Sequence, residues 1–187
     1  MEIYLIRHTT PDVEKGIVYG QTDLELASSW SDEFNILHEK IPDQFDAVYS
    51  SPLIRCDKLA QSITGDVQYD DRIKELDFGD WEMKKWDEIN PKMLNMWMED
   101  YVNIACPNGE SFNMLSDRVL SFWSQYANVE GDHKSVAIVA HGGVIRALIS
   151  HLLGFPLINA FHLHLDYGSI SKVEMSKSRT QVKFINR

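Results

Sequence analysis

Three short apolar runs in this chain end in the same way, and that repetition constrains the fold more than any other feature. Residues 3–6, 47–49 and 136–140 are uninterrupted by charge. A basic side chain follows each run: Arg7–His8 after the first, Arg55 after the second and His141 after the third. Helix-like segments come next in every case. Uninterrupted apolar runs of this length suit strands buried on both faces, as in a parallel sheet. Strand alternating with helix predicts an α/β fold, a three-layer α/β/α sandwich whose central sheet is mostly parallel with an antiparallel edge. In open sheets of this kind ligands bind outside the carboxyl ends of the strands. Arg7, His8, Arg55 and His141 are therefore expected to converge on one pocket, and their basic character suits an anion.

The remaining elements follow from periodicity and punctuation. Residues 9–26 read as a loop broken by Pro11, Gly16 and Gly20. Residues 31–40 read as a helix with Phe34, Leu37 and Ile41 on one face. Ser50-Ser51-Pro52 predicts an N-cap followed by proline at the first helical position, with the helix running to about Thr64 and stopping at Gly65. Residues 67–69 are a candidate short strand. Phe112, Leu115, Val119 and Phe122 mark an apolar helical stripe over 111–127, with Gly131–Asp132 in the connection after it. A further helix over 143–153 is closed by Gly154 and Pro156. Residues 170–175 and 181–185 alternate and predict a terminal hairpin or edge strands. The reading is one domain over 1–187, with an insertion of loops and one or two helices at about 71–110. That segment carries Trp81, Trp86 and Trp97 together with Met93, Met96 and Met98, either as plain core or as a binding wall.

Charge narrows the partners. The 28 acidic against 18 basic residues leave a net charge of −10. Such a chain is poorly suited to neutralise nucleic-acid phosphates or to sit on an anionic membrane. A local cluster of Arg and His on an acidic body still makes a positive pocket for a small anionic metabolite. Cys56 and Cys106 are far apart and form neither a disulfide framework nor a metal spacing. No basic leader precedes the first apolar run and no run reaches membrane-spanning length, so a cytoplasmic protein is expected.

The chemistry suited to these residues is phosphoryl transfer. Guanidinium forks match phosphate oxygens two at a time, and Arg7, Arg55 and a protonated His141 can supply the charge. The Gly142–Gly143 amides at a helix start add backbone donors, and the absence of side chains there permits close approach. A neutral His8 imidazole is a competent nucleophile. A second group must then protonate the leaving oxygen and later activate water. Glu75 in Lys74-Glu-Leu-Asp-Phe-Gly79 is the candidate, with Asp77 and Glu82 as alternatives. A carboxyl group close to a phosphate dianion holds its proton more readily, which suits an acid.

The segments Tyr4-Leu-Ile-Arg-His8 and Val139-Ala-His-Gly-Gly-Val-Ile-Arg146 resemble the two signature segments of the histidine phosphatase superfamily, also called phosphoglycerate mutase-like. Ser50-Ser-Pro-Leu-Ile-Arg-Cys56 resembles its third motif, and the 74–81 segment resembles the one bearing its proton donor. The resemblance implies a phosphohistidine at His8, a phosphate pocket of Arg7, Arg55, His141 and Gly142, and Glu75 acting first as acid and then as base. It implies no metal and no organic cofactor. Val18-Tyr-Gly-Gln-Thr-Asp-Leu-Glu-Leu26, Glu75-Leu-Asp-Phe-Gly-Asp-Trp-Glu82 and Asp166-Tyr-Gly-Ser169 resemble the alpha-ribazole phosphatase branch. That branch removes the 5′-phosphate of alpha-ribazole phosphate in cobalamin assembly. In this reading Gly20, Gln21 and Trp81 contact substrate, and the aromatic side chains of the insertion stack on a flat apolar leaving group. Thr9 and Glu14 depart from the Gly and Asn usual in the superfamily at those places, which separates the chain from the mutases.

The competing readings are a phosphatase of broad specificity, a phosphoglycerate mutase-type phosphotransferase, and a silent phospholigand-binding module. A mutase must shield a bisphosphate from water, and the insertion is short for such a cover. A silent module would have lost the nucleophile or an arginine. His162 and His164 alternate as though on one strand face, without an acidic or thiol partner at ligand spacing, and are read as structural.

Overall fold

The computed structural model describes residues 1–127, 133–176 and 178–187. Its six strands are β1 (Glu2–Arg7), β2 (Ala47–Ser50), β3 (Val67–Tyr69), β4 (Ser135–Ala140), β5 (Ile170–Ser176) and β6 (Arg179–Phe184). They form one sheet in the order β3-β2-β4-β1-β5-β6. The first four strands in that order are mutually parallel, and β5 and β6 add antiparallel pairings at one edge. The helices are α1 (Trp30–His38), α2 (Ile54–Ile63), α3 (Pro91–Glu99), α4 (Phe112–Ala127) and α5 (Gly142–Leu153).

Alternate strand residues face opposite layers, as the pleat requires. Ile3 and Leu5 of β1, with Ile138 of β4, pack against Leu115, Val119 and Phe122 of α4 and Val144 and Leu148 of α5. Tyr4 and Ile6, with Ala137 and Val139, pack against Leu37 of α1 and Cys56, Leu59 and Ala60 of α2. The result is the three-layer sandwich. Helices after β1 and β2 cover one face, whereas those after β3 and β4 cover the other. The crevice between β1 and β4 is thus a topological switch point, where the chain leaves two adjacent strands in opposite directions. Arg7 pairs with Ala140 across these strands, so His8 and His141 emerge side by side.

Two local expectations need correction. Helix α2 starts at Ile54 with Leu53 as its extended N-cap, rather than with Pro52 at its first position. The Ser51 hydroxyl is committed elsewhere, because its Oγ lies 2.8 Å from His141 Nε2. His162 and His164 do not share a strand face. His162 ends a 3-10 turn over Leu157–His162, and both side chains are exposed. The Gly131–Asp132 connection lies outside the described residues. No helix among the described residues is long and apolar enough to cross a membrane.

Residues 71–110 hold α3 and three short 3-10 turns. Their aromatic side chains divide between core and surface. Trp81 and Trp97 are buried, whereas Met93, Met96 and Met98 are exposed. Leu59 sits on the opposite side of the sheet, fully buried among α1 and α2. Leu59→Ala is expected to lower unfolding free energy by about 2–5 kcal/mol. Urea denaturation should read this loss while activity per folded molecule is retained, since Leu59 touches no part of the crevice described next.

Candidate active site

Arg7 closes β1 and His8 follows it directly. The His8 backbone amide donates to the Ala140 carbonyl at 3.0 Å, which carries the strand pairing one residue further. The imidazole is buried, and its Nδ1 lies 2.8 Å from the Thr9 carbonyl oxygen. A carbonyl only accepts, so Nδ1 bears the proton and Nε2 keeps its lone pair. Burial, and then the charges of Arg55 and Arg7, hold this imidazole well below its ordinary pKa. His8 is therefore neutral at pH 7, with a nucleophilic nitrogen free of its own proton.

The two arginines are held from behind by carbonyl oxygens. Arg55, in the first turn of α2, is completely buried. It donates to the Thr22 carbonyl at 3.0 Å and the Gly20 carbonyl at 2.5 Å. Arg7 donates to the Leu165 carbonyl at 2.6 Å, and its guanidinium carbon lies 3.9 Å from the Tyr167 ring centre. The Nε of each arginine is buried without a hydrogen-bond partner among the described residues. Buried N–H groups are almost always paired, so two orphaned guanidinium donors beside one imidazole mark a place for an anion.

His141 caps the start of α5, and its ring centre stands 5.1 Å from that of His8. It was expected to be protonated. Burial foremost, then the charges of Arg55, His8 and Arg7, push its pKa well below the ordinary range, so the neutral form is held in this structure. It contributes as a hydrogen-bonding group rather than as a fixed charge.

Glu75 occupies the helix end that was expected to cradle phosphate with both amides. Its two carboxylate oxygens each accept from the Gly143 amide at 3.1 Å, and Oε1 also accepts from Leu76 at 3.0 Å. The glycine pair permits this crowding. A Cβ at Gly143 would stand 2.3 Å from Glu75 Oε1, and one at Gly142 would stand 2.7 Å from Arg146 Nη1 and 3.4 Å from Arg7 Nε. Gly142 thus makes room for two guanidiniums and Gly143 for the carboxylate.

Gly20 and Gln21 brace this arrangement. Besides the Gly20 carbonyl on Arg55, the Gln21 side chain donates to the Glu75 carbonyl at 3.2 Å. Glu82, considered above as an alternative acid, instead accepts from the amides of Gln21, Thr22 and Phe78 and ties the two loops together. Trp81, expected at the substrate, lies behind the wall: it is 5% exposed and meets Trp97 edge-on at 5.7 Å. Two features escaped the reading of the sequence. Tyr19 and Tyr167 join their hydroxyls in a hydrogen bond, with the Tyr167 ring also 5.5 Å from His8. Arg146 reaches the same pocket, and its spacing of four from Gly142 along one helix was the available signal. Among the described residues no cluster of ligating side chains could hold a metal ion.

Two outcomes follow. Gly143→Ala is expected to displace Glu75 and reduce kcat by about a hundredfold without unfolding the protein, as steady-state kinetics with circular dichroism will show. The depressed His8 and His141 pKa values mean that the unfolded chain binds more protons below its own imidazole pKa of about 6.5. Stability is therefore expected to fall as pH drops below that value, by up to about 1.4 kcal/mol per pH unit for each imidazole. Denaturation curves at stepped pH will read the slope, and His8→Asn should reduce it.

Comparison with known proteins gives the family. A family model described as histidine phosphatase superfamily (branch 1) matches residues 3–187. The chain is 26% identical over 196 residues to an adenosylcobalamin/alpha-ribazole phosphatase of Escherichia coli, covering 100% of this chain and 96% of that one. It is 25% identical over 195 residues to phosphoserine phosphatase 1 of Hydrogenobacter thermophilus, covering 100% and 92%. The crystal structure of the alpha-ribazole phosphatase from Shigella flexneri superposes with a TM-score of 0.91 at 26% identity, over 100% of this chain and 96% of that one. With a match that leaves out only the first two residues, the chain belongs to the histidine phosphatase superfamily.

Proposed function

We propose that this protein hydrolyses a phosphomonoester through a phosphohistidine on His8, and that its substrate is alpha-ribazole 5′-phosphate. The observation that carries the reaction is the His8 tautomer. Its Nδ1 proton is engaged by the Thr9 carbonyl, which leaves the lone pair on Nε2, and the ring lies within the field of Arg55 and Arg7, whose Nε groups are unpaired.

In the first step His8 Nε2 forms a bond to phosphorus as the bond from phosphorus to the ester oxygen breaks. Glu75 gives a proton to the departing oxygen. In the second step the Glu75 carboxylate takes a proton from water, and the oxygen attacks phosphorus as the N–P bond breaks. Inorganic phosphate and neutral His8 are regenerated. Arg7, Arg55 and His141 hold the equatorial oxygens throughout, and the Gly142 backbone lets them approach.

The leaving group is supported by a separate observation. An apolar cavity of about 430 Å³ is lined by Phe78, Trp86, Trp97, Tyr101 and Phe161, with Leu94 and Met98. Such a lining suits a flat apolar group, because ring faces stack on aromatic walls. The dimethylbenzimidazole of alpha-ribazole is a group of that kind. The naming of similar proteins as alpha-ribazole phosphatases adds to this support.

His8→Ala is expected to lower kcat by about a thousandfold or more, and Glu75→Gln by about 10²–10⁴. Rapid acid quench should trap a phosphoenzyme in the wild-type protein and none in His8→Ala. Near-native turnover by His8→Ala would end the mechanistic reading. The kcat/KM for alpha-ribazole 5′-phosphate is expected to exceed that for phosphoserine and p-nitrophenyl phosphate by at least about tenfold. Equal values on all three would leave a phosphatase and remove the specific substrate.

A further inference from the structure

Arg146 lies between the phosphate pocket and the apolar cavity, and neither has yet accounted for it. It belongs to α5, four residues after Gly142, so its side chain runs along the same helix face toward the crevice. Its Nε donates to the Leu163 carbonyl at 3.0 Å, which fixes the plane of the guanidinium. One face of that plane lies against Phe161, with the guanidinium carbon 5.1 Å from the ring centre. Phe161 in turn lines the cavity. On the other side, Nη1 and the unpaired Nε of Arg7 converge on the space left by the missing Gly142 side chain.

The head group is thus held in place with its business end unused. Among the described residues, no carboxylate forms an ion pair with Arg146 and no hydrogen bond is made by its terminal nitrogens. Burial and the charge of Arg7 both work against its protonated form, with Glu75 and Tyr101 opposing them. A half-buried guanidinium pinned by Nε alone, with its terminal N–H groups free, presents donors to whatever crosses from one compartment to the other. The part of a substrate that crosses there is the stretch of the alcohol next to the ester oxygen.

Building on the reading of His8 as the phosphoryl acceptor, we infer that Arg146 is a specificity-determining residue that donates to an oxygen acceptor on the leaving group, close to the ester. The preferred substrates are then phosphomonoesters whose alcohol joins such an oxygen to a flat apolar body. A sugar hydroxyl or ring oxygen supplies the acceptor in a nucleoside-like ester, whereas a phosphorylated hydroxy acid offers a carboxylate to Arg146 without a body for the cavity. A plain aryl phosphate fills the cavity but offers nothing to Arg146.

The test is a substrate panel on Arg146→Met and Arg146→Lys. It uses alpha-ribazole 5′-phosphate, phosphoserine and phenyl phosphate, with inorganic phosphate as competitive inhibitor. For Arg146→Met, the ratio of kcat/KM on the better acceptor-bearing ester to kcat/KM on phenyl phosphate is expected to fall about 10- to 100-fold, the worth of one charge-assisted hydrogen bond. The inhibition constant of inorganic phosphate is expected to shift by less than the ratio does. Arg146→Lys keeps the charge without the fork and should show a smaller fall in the same ratio, which gives a reading even if Arg146→Met folds poorly. An unchanged ratio, or an equal loss on phenyl phosphate and in phosphate inhibition, overturns the inference and makes Arg146 part of the phosphate pocket or of the scaffold. If the ratio falls while phosphoserine is the better wild-type substrate, the role of Arg146 stands and the alpha-ribazole assignment fails.

Discussion

Two cationic side chains with too few partners, Arg55 wholly buried and Arg7 partly so, organise this molecule. Arg55 is wholly enclosed, and its charge is met by peptide carbonyls rather than by a carboxylate. Taking an ion out of water costs several kcal/mol even after relaxation, and carbonyl dipoles offset only part of that. Arg7 repeats the arrangement against Leu165. The remaining demand is directional, because the unpaired donors are the Nε groups on the crevice side. Orphaned guanidinium donors of this kind suit an anion. Burial and the same positive charges act in one direction on His8 and hold its imidazole neutral. A place for an anion and a neutral imidazole beside it therefore follow from one electrostatic arrangement rather than two separate devices.

That economy depends on sheet topology. Parallel pairing of β1 with β4 in this register puts the residues following Arg7 and Ala140 next to each other. Because the chain departs from the two strands toward opposite layers, no helix crosses the gap, and side chains from α2, α5 and the 75–82 loop can reach it. The glycine pair at the head of α5 completes the fit, since any side chain there would collide with Arg146 or Glu75. Steric emptiness at these two positions does as much for the site as the charged groups do.

The sheet and its helices were legible in the sequence because burial on both faces leaves an uninterrupted apolar run, and one-sided burial leaves a three-four stripe. The placement of Arg7, His8 and His141 at strand ends, and of Arg55 in the helix turn after β2, was legible for the same reason. What escaped had a different physical origin. Ser51 has the right chemistry for a helix cap, but His141 competes for its hydroxyl, and a contact spanning ninety positions leaves no local trace. The protonation of His141 depends on the field of Arg55 and on burial, neither of which its neighbours in sequence reveal. Trp81 and Trp86 look alike along the chain. Only the packing of Trp97 between them puts one in the core and the other at a cavity wall.

Chemistry and selectivity are accordingly built from separable materials. The reacting groups stand on strand ends and helix starts, where backbone pairing fixes them and substitution is costly. The cavity wall comes from α3, the turns before it and the 157–162 turn, and it meets the start of α4 through Tyr101 and Phe112, 5.8 Å apart and edge-on. Arg146 belongs to both parts: its backbone sits in the helix that presents Gly142, and its head group faces Phe161 of the wall. A residue so placed can couple the identity of the alcohol to the geometry of the phosphate, because a leaving group that engages it is held by the same helix that holds Gly143 against Glu75.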